Sequence, residues 1–309
     1  MVTFPVPAEL VTARIRYLGD EGRAWIDALP ALAATYLDRW GLTIDGAPGS
    51  GVTALVLPVV RRDGARAALK LQQADPMHPG EALALRTWDG DGAVRLLDED
   101  PTTWTLLLER LDGTRDLRAL PVDEAVRVIA ELLTRLNAVP APPGVPPLRE
   151  VAAAMLADAP SAADALPDPA DAACVRRCAA ALSEVAVEAG DRLLHWDLHY
   201  ENVLAADREP WLAIDPKPLA GDPAFELLPA LHNRWEEAEA TGDPAKAVRR
   251  RFDLMVEVMG LDRDRAVAWT LGRVLQDAIW DVEDGATALP VPRVLIAEAI
   301  SRRPAGGAG

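Results

Sequence analysis

Residues 195–202 decide the fold, and they read His195-Trp196-Asp197-Leu198-His199-Tyr200-Glu201-Asn202. In this stretch an Asp follows a His, and an Asn follows that Asp five positions later. A further acid, Asp215, comes after a short apolar run. In phosphoryl transfer of the kinase type, one Asp accepts the proton of the attacking hydroxyl, while an Asn and a second Asp bind magnesium. The sequence therefore predicts Asp197 as the catalytic base, with Asn202 and Asp215 as magnesium ligands.

The spacing between the two predicted metal ligands has a mechanical reason. Residues 203–206 and 211–214 are short apolar runs that can pair as a hairpin. Such a hairpin brings Asn202 and Asp215 to the same end, where two oxygen ligands can face one cation.

The first 110 residues predict a helix followed by an antiparallel sheet. Apolar positions recur at helical spacing over residues 21–40. Shorter apolar runs follow, and the turn sequence Asp63-Gly64 joins two of them as a hairpin. A short helix is predicted over Glu81–Trp88, before two more strand-like runs at 94–97 and 103–108. We expect five antiparallel strands with one inserted helix.

The remainder of the chain is predicted to be mainly helical. One helix is expected to begin with Asp123 as its N-cap, whereas the prolines of residues 160–169 predict a loop. With the catalytic stretch, this pattern indicates an α+β protein with the bilobal, protein-kinase-like fold. Residues 1–110 would form the nucleotide-binding lobe, and residues 111–309 a helical lobe with the catalytic loop and the acceptor site.

A grip for the nucleotide phosphates is expected in the first lobe. Lys70 is the one charged residue of a strand-like apolar run, and Glu81 opens a helix 11 residues later. That spacing allows the carboxylate to pair with the lysine and to fix it against the α and β phosphates. Gly49, Ser50 and Gly51 belong to a glycine-rich segment that can cover phosphates through main-chain amides, although the full Gly-x-Gly-x-x-Gly spacing is absent.

The residues after the run 103–108 occupy the place of a hinge between the lobes. There an adenine edge would meet main-chain groups, so Glu109 and Leu111 are predicted to contact the nucleotide through the backbone. ATP with Mg²⁺ is the expected cofactor pair, but backbone contacts leave no side-chain signature that separates ATP from GTP.

The charge of the chain limits its partners. There are 32 Lys and Arg against 48 Asp and Glu, which gives a formal net charge of −16. An acidic surface repels phosphate backbones, so a nucleic acid partner is not expected, and a cationic small molecule is favoured. The chain begins without a secretory pattern and has no apolar run of bilayer length. We expect a monomeric cytoplasmic protein with no membrane partner.

An acidic region in the second lobe predicts where a cationic acceptor binds. Residues 221–285 contain 14 Asp and Glu against 8 Lys and Arg, a balance of 8 − 14 = −6. A helix predicted over residues 266–284 places Asp277, Asp281 and Asp284 on one face. Like charges at this spacing repel each other, so an external cation is expected to pair with them. Carboxylates suit a planar guanidinium, which donates two parallel hydrogen bonds.

Two further residues, Trp235 and Glu236, are weaker candidates for the same acceptor pocket, because a surface helix also accounts for them. The alternative for the three aspartates is a solvated face that Arg273 neutralises in part.

Several segments resemble one known family, namely residues 21–26, 67–72, 107–113, 139–144, 194–204, 211–216 and 221–226. Over almost its whole length the chain resembles the aminoglycoside phosphotransferase family, and within it the streptomycin 6-kinase branch, also called the aminoglycoside/hydroxyurea kinases. The resemblance implies transfer of the ATP γ-phosphate to a hydroxyl of an antibiotic such as streptomycin, and hence resistance. It also implies the roles assigned above to Asp197, Asn202, Asp215 and Lys70.

Two positions depart from the pattern of this family. Lys217 stands where an acidic residue is expected, and Glu226 stands in place of a shorter acid. The open alternatives are a kinase of another small alcohol, such as hydroxyurea or a choline-like or sugar-like acceptor, and a non-catalytic nucleotide-binding regulator. A regulator is less favoured because all four residues with predicted roles in phosphoryl transfer are present.

Overall fold

A computed structural model describes residues 4–51, 53–73 and 80–302. The chain forms two compact units. The first unit contains the chain up to Arg115 together with Leu204–Ile214, and the second contains Asp116–Val203 and the chain from Asp215 onward. The lobes predicted from the sequence had their boundary after residue 110 and did not assign the segment Leu204–Ile214 to the first of them.

The first unit begins with a long helix, α1 (Ala8–Arg39), which starts well before the predicted residue 21. The difference arises at Gly19, where a φ of 55° interrupts the helical backbone inside α1. Glycine tolerates this conformation, so two helical stretches continue into each other and the apolar period is broken only locally. The second helix, α2 (Glu81–Trp88), has the predicted bounds.

Six strands form the main sheet of the first unit: β1 (Leu42–Ile44), β2 (Gly49–Ser50), β3 (Ala54–Arg61), β4 (Arg66–Gln72), β5 (Leu96–Asp100) and β6 (Thr105–Glu109). Five of them pair antiparallel in the order β1-β3-β4-β6-β5, and β2 pairs with β3. The prediction of five strands missed β2, because its two residues carry no apolar alternation. The Asp63-Gly64 turn joins β3 to β4 as predicted, and Gly64 has a φ of 81°.

Apolar side chains of α1 and of the strands share one buried core. The largest contributions from the helix are Leu29, Tyr36 and Leu37, and those from the sheet include Leu55 and Leu69. Burying such side chains stabilises the unit by roughly 2 kcal/mol each.

Five shorter strands follow: β7 (Asp112–Asp116), β8 (Arg192–Leu194), β9 (Val203–Ala205), β10 (Leu212–Ala213) and β11 (Leu219–Gly221). They form a three-stranded sheet in the order β10-β9-β7 and a separate antiparallel pair of β8 with β11. The hairpin predicted from residues 203–206 and 211–214 is therefore confirmed as β9 and β10.

The second unit is mainly helical, as predicted, with α3 (Val122–Leu136), α4 (Leu148–Ala165), α5 (Pro169–Val185), α6 (Leu228–His232), α7 (Trp235–Ala240), α8 (Pro244–Met259), α9 (Arg263–Glu283) and α10 (Val291–Ser301). Its central helix is α9, which packs against α4, α5 and α10. Among the helices in the described part of the chain, none combines the length and apolarity that a bilayer crossing requires.

Two local predictions in the second unit are wrong. Pro121 precedes the first residue of α3, and Asp123 lies in the first turn, where its charge favours the helix N-terminus without capping it. Residues 160–165, predicted as loop, belong to α4 although Pro160 lacks an N–H donor. Ala159, Ala162 and Ala163 are buried, and α4 packs on α5 and α9, so tertiary packing outweighs the lost hydrogen bond.

Candidate active site

The catalytic segment, residues 195–202, is positioned by a short antiparallel pair. It follows β8 directly, and Leu194 of β8 pairs with Leu219 of β11. The pairing continues one step further, because the N–H of Lys217 donates to the carbonyl oxygen of His195 at 2.9 Å. The chain that carries Asp215 is therefore fixed beside the start of the catalytic segment.

Glu226 anchors the backbone of the catalytic segment through two hydrogen bonds. Its Oε1 accepts a hydrogen bond from the N–H of His195 at 2.6 Å, and its Oε2 accepts one from the N–H of Trp196 at 2.7 Å. Trp196 has a φ of 67°, a left-handed conformation that costs a non-glycine residue roughly 1 kcal/mol. The bonds to Glu226 hold it there. Complete burial raises the pKa of Glu226 to about 7, against the opposing effect of the two N–H donors and of Arg273.

The predicted base, Asp197, is partly buried at the centre of this arrangement. Burial raises the pKa of Asp197 above its ordinary value, and the nearby Asp215 raises it further, whereas His199 and Lys217 act in the opposite direction. A carboxylate with a raised pKa is a better proton acceptor. The N–H of Lys217 bonds to the carbonyl oxygen of His195, so Asp215 and Asp197 each lie two residues from this contact.

The side chains of Asn202 and Asp215 suit the predicted magnesium site. The Nδ2 of Asn202 donates to the carbonyl oxygen of Asp197 at 2.8 Å, which leaves its Oδ1 as the group for a cation. Asp215 adds a carboxylate on a residue with a φ of 57°. Mg²⁺ commonly takes one or two protein oxygens and completes its shell with phosphate and water, so this pair fits. Among the described residues, no group of three or more His, Cys, Asp or Glu side chains could hold a metal alone.

Lys217, the first departure from the family pattern, forms an ion pair with one of these predicted ligands. Its Nζ lies 3.0 Å from Oδ2 of Asp215, with about a quarter of each side chain exposed (24% and 29%). The lysine thus places a positive charge at the carboxylate that is predicted to bind the metal.

In the first unit, the predicted ion pair between Lys70 and Glu81 is confirmed. Nζ of Lys70 lies 2.7 Å from Oε1 of Glu81, and both side chains are more than nine-tenths buried. The second carboxylate oxygen accepts from Nε2 of Gln72 at 2.9 Å. The lysine is therefore held by α2 in one position on β4, while its contact with phosphate stays a prediction.

The glycine-rich residues lie on a hairpin. Gly49 and Ser50 form β2 against Val56 and Leu55 of β3, and the N–H of Gly51 donates to the carbonyl oxygen of Ala54. A Cβ built at Gly49 or Gly51 would meet no atom of the described residues within 4 Å, apart from those of its chain neighbours. Phosphate binding by Gly49, Ser50 and Gly51 remains a prediction.

Glu109, a predicted hinge contact, is tied into the first unit by several bonds. Its N–H donates to the carbonyl oxygen of Arg95, and its Oε1 accepts from Nε of Arg208 at 2.8 Å. The N–H of Glu109 is thus engaged within the fold, so an adenine contact at this residue would use its carbonyl group. The main-chain contact predicted between Leu111 and the nucleotide stays a prediction.

The acids of α9 already have a cation, which the sequence analysis did not foresee. Arg293 of α10 places Nη1 2.5 Å from Oδ2 of Asp277 and Nε 2.7 Å from Oδ2 of Asp281. The repulsion that suggested an external cation is therefore relieved internally, although substrate contact by these residues is still a prediction. Asp284 lies at the C-cap of α9 and is exposed.

Arg273 interacts electrostatically with Asp277 of the acidic face, in line with the partial neutralisation considered for it, but it also lies against the catalytic segment. Its guanidinium is buried and lies over the rings of Trp196 and Phe225, at 5.4 and 5.3 Å from their centroids. Burial lowers the pKa of Arg273, while Asp277, Asp197 and Glu226 raise it.

The two weaker acceptor candidates lie on the short helix α7. Nε1 of Trp235 donates to Oε1 of Glu239 at 2.8 Å, and Glu236 is exposed. These observations agree with the surface helix that was the alternative for both residues.

Sequence reasoning assigned no role to Glu226 or Arg293, and it considered Arg273 only as a partial counter-charge for the acidic face. Glu226 could have been found, since it follows the distinctive Gly221-Asp222-Pro223 turn. The two arginines sit in ordinary helical patterns, and nothing local marks them.

Comparison with known proteins identifies similar chains. Residues 39–285 match the model of the family described as aminoglycoside/hydroxyurea antibiotic resistance kinase. The chain is 55% identical over 298 residues to a streptomycin 6-kinase of Streptomyces griseus, which covers 96% of this chain and 97% of that protein. It is 56% identical over 301 residues to a hydroxyurea phosphotransferase of Kitasatospora aureofaciens, which covers 96% of this chain and 86% of that protein.

A solved structure with a similar fold is a macrolide 2'-phosphotransferase of Brachybacterium faecium. The TM-score is 0.55 at 18% sequence identity, and the match covers 90% of this chain and 99% of the other. At this identity the likeness concerns the fold alone, and it confirms the predicted kinase-like α+β class.

Proposed function

Because the chain belongs to the aminoglycoside/hydroxyurea antibiotic resistance kinase family, we propose that it transfers the γ-phosphate of ATP to the 6-hydroxyl of streptomycin and so confers resistance. The observation that carries this proposal is the catalytic segment. There a partly buried Asp197 with a raised pKa lies near Asp215, on a backbone anchored by Glu226.

Each functional residue has a defined task in this reaction. As the acceptor oxygen forms its bond to the γ-phosphorus, Asp197 takes the hydroxyl proton, and the bond from the γ-phosphorus to the bridging oxygen breaks to release ADP. Asn202 and Asp215 would hold magnesium, which when bound neutralises charge on the phosphate oxygens. Lys70, fixed by Glu81, would bind the α and β phosphates.

A second candidate acceptor is hydroxyurea, because the chain is equally similar to a hydroxyurea phosphotransferase. Two observations favour streptomycin. Residues 221–285 have a local charge balance of −6, which suits a polycation bearing guanidinium groups better than a small neutral molecule. Exposed Asp284 also offers a carboxylate to such groups.

The test incubates the protein with magnesium and ATP together with streptomycin, and in parallel with hydroxyurea. Mass spectrometry should show one added phosphate on streptomycin, and NMR should place it at position 6. The matched control, Asp197→Asn, should lose about 10²- to 10⁴-fold in kcat while it still binds nucleotide. Product from hydroxyurea alone would replace the proposed acceptor, and normal turnover by Asp197→Asn would remove the base from its role.

A further inference from the structure

A large aromatic side chain near the catalytic segment is exposed without an obvious structural need. Trp280 lies in the last turns of α9 and exposes 42% of its surface. Its ring centroid is 6.5 Å from that of Trp196, with the two planes at 47°. Trp196 itself is only 7% exposed and directly precedes Asp197. Trp280 is therefore the solvent-facing member of an aromatic pair whose buried member directly precedes the predicted catalytic base.

Packing explains only part of this arrangement. A packing role for Trp280 would be to shield the ring of Trp196 from water. The buried guanidinium of Arg273 already lies over that ring at 5.4 Å. A smaller apolar residue in α9 could complete the cover. An indole that packs on Trp196 and still leaves two-fifths of itself in water presents an exposed aromatic surface beside the residue that precedes Asp197.

The charges around Trp280 are not equivalent. Asp277 and Asp281 are occupied by Arg293, so they fix α10 to α9. Asp284 is exposed, and within the described residues it has no ion pair. It follows Trp280 by one helical turn, as shown by the 2.9 Å hydrogen bond from its N–H to the carbonyl oxygen of Trp280. Side chains three or four residues apart on a helix are neighbours, so the exposed indole has two exposed carboxylates beside it, those of Glu283 and Asp284, and neither forms an ion pair within the described residues.

We propose that Trp280 and Asp284 together bind a planar cationic group of the acceptor, a guanidinium in the case of streptomycin. The guanidinium stacks on the exposed indole, since an aromatic face attracts a cation, and it donates hydrogen bonds to the carboxylate of Asp284. This inference rests on the proposed function and names the residues that choose its substrate. It reassigns Asp277 and Asp281 from acceptor binding to holding Arg293.

Steady-state kinetics with three variants and two controls test the proposal. Trp280→Ala should raise the KM for streptomycin about tenfold or more, with kcat and the KM for ATP near those of the wild type. Trp280→Phe should lie between, and Asp284→Asn should raise the same KM several-fold. Two matched controls should change neither KM: Asp158→Asn, an exposed acid on α4, and Tyr17→Ala, an aromatic residue with 64% exposure on α1.

The contrary outcome is distinct. If Trp280 serves only to support Trp196, Trp280→Ala should lower kcat and leave the KM for streptomycin unchanged, which would overturn the inference. An equal rise in the KM values for ATP and streptomycin would also overturn it.

Calorimetric titration with streptomycin in the absence of nucleotide separates this inference from the proposed reaction. The proposed binding site is supported if the wild type binds streptomycin and Trp280→Ala binds it at least tenfold more weakly. This holds even if no phosphate is transferred. The proposed binding site is rejected if wild type and variant bind streptomycin with equal affinity, or if the wild type does not bind it. Absence of phosphorylated streptomycin bears on the proposed function alone.

Discussion

Two buried ion pairs, one in each unit, have similar geometry and different expected duties. In the first unit Lys70 and Glu81 join β4 to α2 at 2.7 Å, and in the second Arg293 joins α10 to Asp277 of α9 at 2.5 Å. Buried ion pairs contribute little net stability, since desolvation offsets their attraction. The comparison therefore teaches that burial and distance do not reveal a duty. Lys70 is held in position and is predicted to bind phosphate. Arg293 has both of its carboxylate partners within the fold.

The largest expected effect comes from making the first pair neutral. The double variant Lys70→Met/Glu81→Gln leaves no unpaired charge, so its free energy of unfolding should change by about 1 kcal/mol or less. Its kcat/KM for ATP should nevertheless fall about 10²- to 10³-fold, because the phosphates lose a preorganised cation.

The matched control neutralises the second pair in the same way, as Arg293→Met/Asp277→Asn/Asp281→Asn. This variant should keep kcat/KM for ATP within a few-fold of the wild type. Similar losses of activity in both neutral variants would abolish the distinction drawn between the two pairs.

Breaking the second pair without neutralising it should affect stability instead. Arg293→Met removes the hydrogen-bonded partner of Asp277, which is only 8% exposed and keeps the weaker attraction of Arg273, so the free energy of unfolding should fall by about 3 kcal/mol. Adding Asp277→Asn should restore most of the loss, because the uncompensated buried charge is then gone. Urea denaturation measures both changes. Without recovery in the double variant, the charge of Asp277 cannot be the cause.

The two pairs also differ in how far the sequence predicted them. Lys70 and Glu81 were predicted because Lys70 lies in a strand-like apolar run and Glu81, 11 positions later, opens a helix that the sequence indicates. The bounds of α2 and the hairpin of β9 and β10 were predictable for the same reason, since they depend on nearby residues. Arg293 was not, because its contact requires knowing how α10 packs on α9 across the loop 284–290, and the acidic window counted from the sequence ended at Gly285.

The errors in the fold have a related cause. Pro160 was expected to end regular structure, but its neighbours are buried in a helix packed on α5 and α9, which local propensity does not reveal. Glu226 was noted only as a longer acid than expected. Its role depends on a contact with His195, 31 residues away in the sequence, that the two short strands β8 and β11 create.

Glu226 extends the comparison to a buried carboxylate held by N–H groups. Burial raises the pKa of Glu226 from 4.5 to about 7, so the folded protein binds more protons there than the unfolded chain does. The contribution of Glu226 to the free energy of unfolding is therefore complete below about pH 4.5. It is lost as the pH rises through 7, by roughly 3 kcal/mol.

Urea titrations between pH 4.5 and 8 on the wild type and on Glu226→Gln provide the measurement. The glutamine variant should be less stable overall, because its amide group opposes one of the two N–H donors, but its pH dependence should lack the contribution from this site. If both proteins show the same pH profile, the carboxyl of Glu226 does not titrate in this range.

The smallest effect is expected at an exposed ion pair that joins Glu201 of the catalytic segment to Arg118. Nη1 of Arg118 lies 2.5 Å from Oε1 of Glu201, a distance as short as that of the Arg293 pair, yet 58% and 50% of the two side chains are exposed. Exposed pairs are screened by water and lose side-chain entropy on forming, so Glu201→Gln should change the free energy of unfolding by about 0.5 kcal/mol or less. Its kcat should also stay close to that of the wild type, because no task in phosphate transfer requires this carboxylate. Urea denaturation and turnover are measured for Glu201→Gln and for Arg293→Met. The comparison covers two ion pairs with the same 2.5 Å distance and different burial. A large loss at Glu201 would mean that position in the catalytic segment, rather than burial, determines what an ion pair contributes in this protein.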